Sequence, residues 1–279
     1  MKNLDDKVAA VTGAGSGIGR ALALRLADEG CHLALSDVDA DGLAETERLL
    51  AGRTRGLTTA VVDVADEAAV TAWADAVVGD HGRANLVFNN AGVALSGTIA
   101  SLSTEDYRWI MGVNFWGVVH GTKAFLPHLE ASGAGHVVNI SSVFGLTSQP
   151  LMSGYNASKF AVRGFTESLR QDLELTRSCV SATCVHPGGI KTNIARAARM
   201  DSSVASATGK PSEAASKEFE KSFITTPAKA AQVIVGAVRT TRRRVLVGPD
   251  ARVFDARARV APAGYQRLIT GVVRSRGAK

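Results

Sequence analysis

Along most of the chain, short apolar runs alternate with longer stretches in which apolar residues recur at helical spacing. Lys7–Thr12, Cys31–Ser36, Thr58–Val62, Asn85–Phe88, His136–Ile140, Val180–Val185 and Val245–Val247 have the length and continuity of strands. Gly17–Glu29, Ala40–Leu50, Glu67–Gly79, Thr104–His128, Gly154–Leu175 and Pro227–Arg239 read as helices between them. Strand, helix, strand repetition with short connections implies right-handed crossovers and a parallel sheet. The expected fold class is α/β: a doubly wound, mainly seven-stranded parallel sheet with helices on both faces. No repeat or linker marks a boundary, so residues 1–279 are read as one domain. Two regions break the rhythm. Residues 193–222, rich in Ala, Ser and Lys, are expected to form a substrate loop or lid. Residues 249–279 form a basic C-terminal extension.

Composition fits that outline. Hydrophobic residues make up 46% of the 279 and charged residues 21%, as in soluble globular proteins. Only 5% are aromatic, while Ala, Val and Gly abound, which suits a buried parallel sheet. The three cysteines, Cys31, Cys179 and Cys184, lack CxxC spacing, so neither a disulfide framework nor a zinc site is expected. They read as buried reduced thiols. Met1–Lys7 is short and charged, with no apolar run of a secretory signal, and a cytoplasmic setting is expected. From Arg239 to Lys279 there are eleven Lys or Arg against two Asp, a local +9. The whole chain carries +6, so the preceding 238 residues carry −3. The basicity therefore belongs to the tail.

The first strand runs into Thr12-Gly13-Ala14-Gly15-Ser16-Gly17-Ile18-Gly19 and then a helix. Glycines let the backbone take positive φ and approach a pyrophosphate closely. The helix N-terminus behind them offers free N–H groups and partial positive charge to that anion. Strand before and helix after is the context that separates a Rossmann-type dinucleotide site from a mere turn. The second strand ends at Asp37, whose carboxylate can accept both adenosine ribose hydroxyls and repel a 2′-phosphate. No basic residue at Ser16 or Val38 offsets it, so NAD(H) is preferred over NADP(H). An Asp here can also simply cap the following loop. Asp63 and Val64 end the third strand, where Asp63 could hold the adenine amino group. Asn89, Asn90, Ala91 and Gly92 end the fourth, leaving room for ribose and pyrophosphate at the carboxyl edge of the sheet.

Tyr155-Asn156-Ala157-Ser158-Lys159 opens a helix, and i, i+4 spacing puts Tyr155 and Lys159 on one face. A cation beside a phenol lowers its pKa from about 10 and makes it usable as an acid or base. Ser142 lies thirteen residues earlier at a strand end, and Asn114 lies in the long helix. Together with the glycine loop and Asn89–Gly92, this set resembles the short-chain dehydrogenase/reductase family, in its compact one-domain branch, over roughly residues 5–250. The resemblance implies roles. Tyr155 would be the catalytic acid/base. Lys159 would bond the nicotinamide ribose and depress the tyrosine pKa. Ser142 would orient the substrate oxygen, and Asn114 would hold a water in a proton relay. Pro187, Gly188, Ile190 and Thr192 would form the turn that binds the nicotinamide carboxamide.

The activity so implied is hydride transfer between NAD(H) and an alcohol or ketone. Ala94, Phe144, Gln149, Met152 and Gly189 are the tentative substrate contacts, with Val93, Leu95, Val143 and Leu151 near them. Most are apolar and none is a carboxylate clamp, so a lipophilic substrate is expected. The alternative reading is a non-catalytic NAD(H)-binding sensor, against which the complete Ser142, Tyr155 and Lys159 set speaks. A sugar-nucleotide epimerase of the larger branch fits the length and glycine spacing poorly. No metal site is expected. The resemblance suggests a homodimer or homotetramer, with Phe115, Val118, Val119 and Phe160 available to an interface. For the tail, packing on a neighbouring subunit or at the substrate mouth is favoured over membrane-surface contact, and no nucleic-acid motif is present. His186 reads as a packed strand-end histidine, and His120 and His128 are too far apart to chelate. Trp73, Trp109 and Trp116 are expected to fill helix–sheet contacts. Arg20 is given no part.

Overall fold

The structure, a computed structural model, describes residues 1–211, 214, 217 and 220–277. Seven strands form one sheet in the order β3-β2-β1-β4-β6-β7-β9, every pair parallel. They are β1 (Val8–Thr12), β2 (His32–Asp37), β3 (Leu57–Val61), β4 (Leu86–Asn89), β6 (Gly135–Ile140), β7 (Val180–Pro187) and β9 (Arg244–Val247). These are the seven runs expected from the sequence. A separate parallel pair joins β5 (Leu95–Ser96) to β8 (Arg199–Met200). The helices are α1 (Gly17–Asp28), α2 (Ala40–Leu50), α3 (Glu67–His81), α4 (Thr104–Met111), α5 (Gly117–Ala131), α6 (Ser153–Leu175), α7 (Ser203–Thr208), α8 (Pro227–Arg239), α9 (Pro249–Val260) and α10 (Gly264–Gly277).

Successive strand residues point to opposite faces, and both faces are covered. Ala9 and Val11 pack with Leu22 and Leu26 of α1 and Ile234 and Val238 of α8. Val8 and Ala10 belong to the other core, with Trp73 and Val77 of α3, Phe125 and Leu129 of α5, and Leu169 and Leu173 of α6. Helix starts follow local chemistry. Asp66 accepts from the N–H groups of Ala68 and Ala69, Ser103 and Asp106 form a capping box, and Thr226 caps α8 ahead of Pro227. The strand order reverses between β1 and β4, so the crevice at their carboxyl ends is where a ligand is expected in such a sheet. Beneath it runs a buried polar ladder. Asn89 Nδ2 donates to Asn139 Oδ1 (2.8 Å) and Thr122 Oγ1 (3.1 Å), and Asn139 Nδ2 donates to Thr166 Oγ1 (3.0 Å).

Several expectations need correction. The helix read over Thr104–His128 is three pieces, because Gly112–Trp116 forms a π turn between α4 and α5. The π turn inserts an extra residue per turn, which an apolar period near 3.6 does not register. Trp73 does fill a helix–sheet contact, 5.2 Å from the Phe125 ring. Trp116 instead stands 51% exposed on the π turn, stacked on His120. Trp109 lies under the Arg199 guanidinium at 3.6 Å. Cys31 and Cys184 are buried, and burial pushes both thiols up to about 12. Cys179 is exposed, because the strand begins only at Val180. Val118 and Val119 are buried and unavailable to a partner. Within residues 193–222, the stretch 199–203 is anchored. Arg199–Met200 pairs with β5, Asp201 accepts from Ser101 Oγ (2.5 Å), and Ser203 Oγ accepts from Thr98 N–H (2.9 Å). The tail forms α9 and α10. Phe254 meets Phe144 edge to face, and Tyr265 Oη accepts from Ser148 N–H (3.0 Å).

Two fully buried histidines carry a pH consequence. His136 Nε2 donates to Thr183 Oγ1, whose hydroxyl is spent on Arg242 O, and His136 Nδ1 has no partner. His186 Nδ1 donates to Ser142 O, and its Nε2 has none. Burial pulls His136 down to about 3 and His186 to about 4, so both fold neutral. The unfolded chain then binds more protons below its ordinary histidine value of about 6.5. Stability should fall as pH drops from about 6.5 towards 4. Urea unfolding across that range should show the decline, and His136→Gln with His186→Gln should flatten the slope between pH 6.5 and 5. An unchanged slope in the double variant would refute this.

Candidate active site

The loop from β1 to α1 is built from mutual contacts at the sheet crevice. Gly13 (φ +66°) and Gly17 (φ +53°) take left-handed conformations that favour glycine. A Cβ on Gly19 would sit 2.0 Å from Gly13 O, so the helix start presses on the loop. Asn90 Nδ2 donates to Thr12 O (2.9 Å) and Gly13 O (3.2 Å), while Thr12 Oγ1 accepts from the N–H groups of Asn90 and Ala91. Asp37 Oδ2 accepts the Gly15 N–H (2.7 Å) and Oδ1 accepts the Asp39 N–H (3.0 Å). Ser16 precedes α1 without capping it, unlike the capping residues of α2, α3 and α4. The first N–H groups of α1 are therefore left uncapped by a side chain, which fits an anion such as pyrophosphate. Ile18 stands half-buried in that first turn.

Arg20, passed over in the sequence, is a structural clamp of this loop. Its guanidinium donates to Gly15 O, to Gly42 O (3.0 Å) and, through Nε, to Thr46 Oγ1 (2.9 Å). Thr46 in turn donates to Ala14 O (2.8 Å). Nothing in the local sequence joins Arg20 to Gly42 and Thr46; only the packing of α1 beside α2 does. Asp63 is exposed and accepts the N–H of Ala65 (2.9 Å), closing its own turn. Val64 is buried against Gly117.

The expected chemical residues converge on the far side of the crevice. The π turn carries Asn114 inward, where Oδ1 accepts the Val93 N–H (2.8 Å) and Nδ2 donates to Val93 O (3.0 Å) and Ser158 Oγ (3.1 Å). Asn114 thus ties the chain after β4 to α6. Ser142 ends the run after β6. Its Oγ accepts the Phe144 N–H (3.1 Å), and its side chain lies near enough to the Tyr155 hydroxyl to draw that phenol's pKa downward. Lys159 lies one turn below Tyr155, with Nζ 5.7 Å from the ring centroid and donating to Ile140 O (3.0 Å). A Cβ at Gly92 would fall 3.3 Å from Asn114 Oδ1 and 3.4 Å from Lys159 Nζ. Strand end, π turn and α6 therefore meet around Gly92.

Burial sets the electrostatics differently from the i, i+4 argument. Tyr155 is 8% exposed and Lys159 3%. Loss of solvation pushes the phenol up to about 12, against a smaller downward pull from the Ser142 side chain. The same cause pulls Lys159 down to about 8. The expected lowering of the tyrosine is thus reversed in the protein alone, because the phenolate loses more by leaving water than it gains from the Ser142 side chain.

Pro187 closes β7, and Gly188, Gly189, Ile190 and Thr192 follow along the crevice. A Cβ on Gly17 would lie 3.0 Å from Thr192 Cγ2, so this turn reaches the glycine loop. Of the tentative substrate residues, Ala94, Phe144 and Met152 share one apolar cluster with Tyr155, together with Ile110, Ala251 and Phe254. The Phe144 and Tyr155 rings meet edge to face at 6.1 Å. Gln149 O accepts from Asn156 Nδ2 (2.8 Å), while Gly189 packs against Phe223. Leu151, between Gln149 and Met152, holds φ +63°, a left-handed conformation uncommon for a bulky residue.

Comparison with known proteins agrees with this fold. The model of the short chain dehydrogenase family matches residues 7–203. SadH of Mycobacterium tuberculosis, which bears an oxidoreductase's name, is 49% identical over 274 residues, 98% of this chain and 97% of its own. A short chain dehydrogenase/reductase from Burkholderia phymatum, solved in complex with NAD, superposes with a TM-score of 0.86 at 33% identity, covering 95% of this chain and 97% of that one. An alcohol dehydrogenase from the archaeon Thermococcus sibiricus, solved with 5-hydroxy-NADP, has a TM-score of 0.72 at 25% identity, covering 87% and 96%. A family match spanning most of the sheet, joined to similarity along nearly the whole length, leads to one conclusion: this chain belongs to the short chain dehydrogenase family of oxidoreductases.

Proposed function

We propose that the protein transfers a hydride between NAD(H) and a lipophilic alcohol or ketone, with Tyr155 moving the proton. The observation that carries this reading is the placing of Tyr155. Its hydroxyl lies near Ser142, and its ring is set in an apolar cluster with Lys159 Nζ 5.7 Å from its centroid. The glycine loop Gly13–Gly19, the Asn90–Gly92 strand end and the turn from Pro187 to Thr192 would hold the dinucleotide along the crevice. Bound NAD(H) supplies the hydride donor or acceptor, and in its oxidised form a positive charge. The chain's own residues do the rest. Below about 12 Tyr155 keeps its proton and can give it to a carbonyl oxygen that Ser142 orients. Below about 8 Lys159 remains an ammonium, the nearby charge that favours a phenolate when an alcohol must lose its proton. Asn114 contributes by fixing the Val93 backbone and α6 against each other.

Asp37 favours NAD(H). Its carboxylate already holds the Gly15 N–H, so negative charge is fixed at the end of β2 where a 2′-phosphate would come. Arg20 does not offset it as a free cation, since its guanidinium is spent on Gly15 O, Gly42 O and Thr46. The apolar surroundings of Tyr155 favour an uncharged substrate. Exposed Trp116 and Phe160 (38%) offer a second copy of the chain an apolar contact in a homo-oligomer.

A panel of steroid, fatty and secondary alcohols and ketones, followed by NADH fluorescence, tests the substrate class and cofactor together. Turnover of uncharged members with a higher kcat/KM for NAD(H) is expected. Turnover confined to carboxylated or phosphorylated compounds, or an NADP(H) preference, would overturn the corresponding part.

Tyr155→Phe should lower turnover by about 10²–10⁴-fold, the usual contribution of general acid–base catalysis, and leave cofactor binding nearly intact. Wild-type turnover in that variant would refute the assignment.

A further inference from the structure

The roles proposed for the strand ends leave the chain beyond Val247 unexplained. There β9 passes through Gly248 (φ +103°) and Pro249 straight into α9. The second residue of that helix, Asp250, sends its carboxylate across to the end of β7. Asp250 Oδ2 accepts the Gly189 N–H at 2.6 Å. Two glycines make way for it. A Cβ on Gly188 would lie 2.1 Å from Asp250 Oδ2, and one on Gly248 would lie 2.4 Å from Oδ1. Oδ1 itself is buried without a hydrogen-bond partner. Leaving a carboxylate oxygen so is unfavourable, which argues that the contact made by the other oxygen matters.

Gly189 is gripped from its other side as well. Its carbonyl accepts from the N–H groups of Ile224 and Thr225 (3.1 Å each), and Ile190 bridges to Thr225. The turn following Pro187 is thus clamped between residues 224–225 and Asp250. It leads directly to Thr192, whose methyl lies beside Gly17 of the glycine loop. The helix that carries Asp250 also lines the apolar cluster around Tyr155, through Ala251 and Phe254.

We propose that Asp250 is a positioning residue. Its carboxylate sets the Pro187–Gly189 turn at the nicotinamide end of the cofactor site and so couples the C-terminal helices to productive cofactor seating. The proposal rests on the reading above that this turn holds the nicotinamide end. The charge of Asp250 is secondary to its acceptor oxygen, since the partner is a backbone N–H.

The test uses the full chain with Asp250→Leu, which removes the acceptor at similar size, and Asp250→Asn, which keeps one. Affinities are measured by calorimetry for NADH and for ADP-ribose, which lacks the nicotinamide, beside kcat and the KM for cofactor. Asp250→Leu should bind NADH about tenfold more weakly, the scale of one lost hydrogen bond to a charged group, with a raised cofactor KM. Its affinity for ADP-ribose should stay within about twofold of wild type, the scatter of independent sites. Asp250→Asn should recover most of the NADH affinity. If Asp250→Leu does not fold, Gly188→Ala, which disturbs the same contact from the turn, should give the same pattern. Unchanged NADH affinity, or an equal loss for NADH and ADP-ribose, would overturn the proposal. Wild-type protein that binds neither ligand would overturn the cofactor reading and this proposal with it, and it would show before any variant is made.

Discussion

Burial of a phenol and an ammonium side by side is the constraint around which the rest of the structure is arranged. Tyr155 and Lys159 are withdrawn from water on one helix face, and each is shifted towards its neutral form by that withdrawal. Such groups persist in an apolar setting only when fixed partners receive them. Ile140 O does this for the amine, Ser142 lies near the hydroxyl, and both belong to the end of β6 and the residues just after it. The helix must therefore lie against that strand end. Ser141 Oγ bonding Lys159 O and the close approach of Gly145 to the same carbonyl secure it there. His186 holds Ser142 from behind, through its carbonyl.

The dinucleotide side follows a related rule, with backbone groups in place of charges. Glycines at the β1–α1 loop let the chain fold closely, but they also remove side chains that could hold it. The holding is done by Asn90, Asp37 and Arg20 through loop backbone atoms, while Thr12 Oγ1 takes the Asn90 and Ala91 N–H groups. Asp37 and Arg20 consequently have structural work beside any part in cofactor choice. Removing either disturbs the loop itself, so a change in cofactor preference on mutation would contain both contributions.

The C-terminal helices add closure. α9 brings Ala251 and Phe254 into the cluster at Tyr155, and Tyr265 of α10 bonds the Ser148 backbone near the Leu151 kink. The basic residues of this tail lie on elements that also complete the apolar site. Its excess positive charge is therefore compatible with a packed role for these helices.

Much was determined by the sequence alone: seven strands, their alternation with helices, the parallel sheet, and the family set Gly13–Gly19, Ser142, Tyr155 and Lys159. These are legible because strand continuity, helical period and motif spacing are local properties. Tertiary structure alone decided what depends on distant parts meeting. The π turn that carries Asn114 inward is invisible to periodicity, since an inserted residue leaves the apolar pattern nearly unchanged. The Arg20 clamp and the Asp250 contact span 22 and 61 residues of chain. The direction of the Tyr155 shift also belongs to the fold, because i, i+4 spacing reports which groups are neighbours, whereas the loss of water around them is set by everything packed outside the helix.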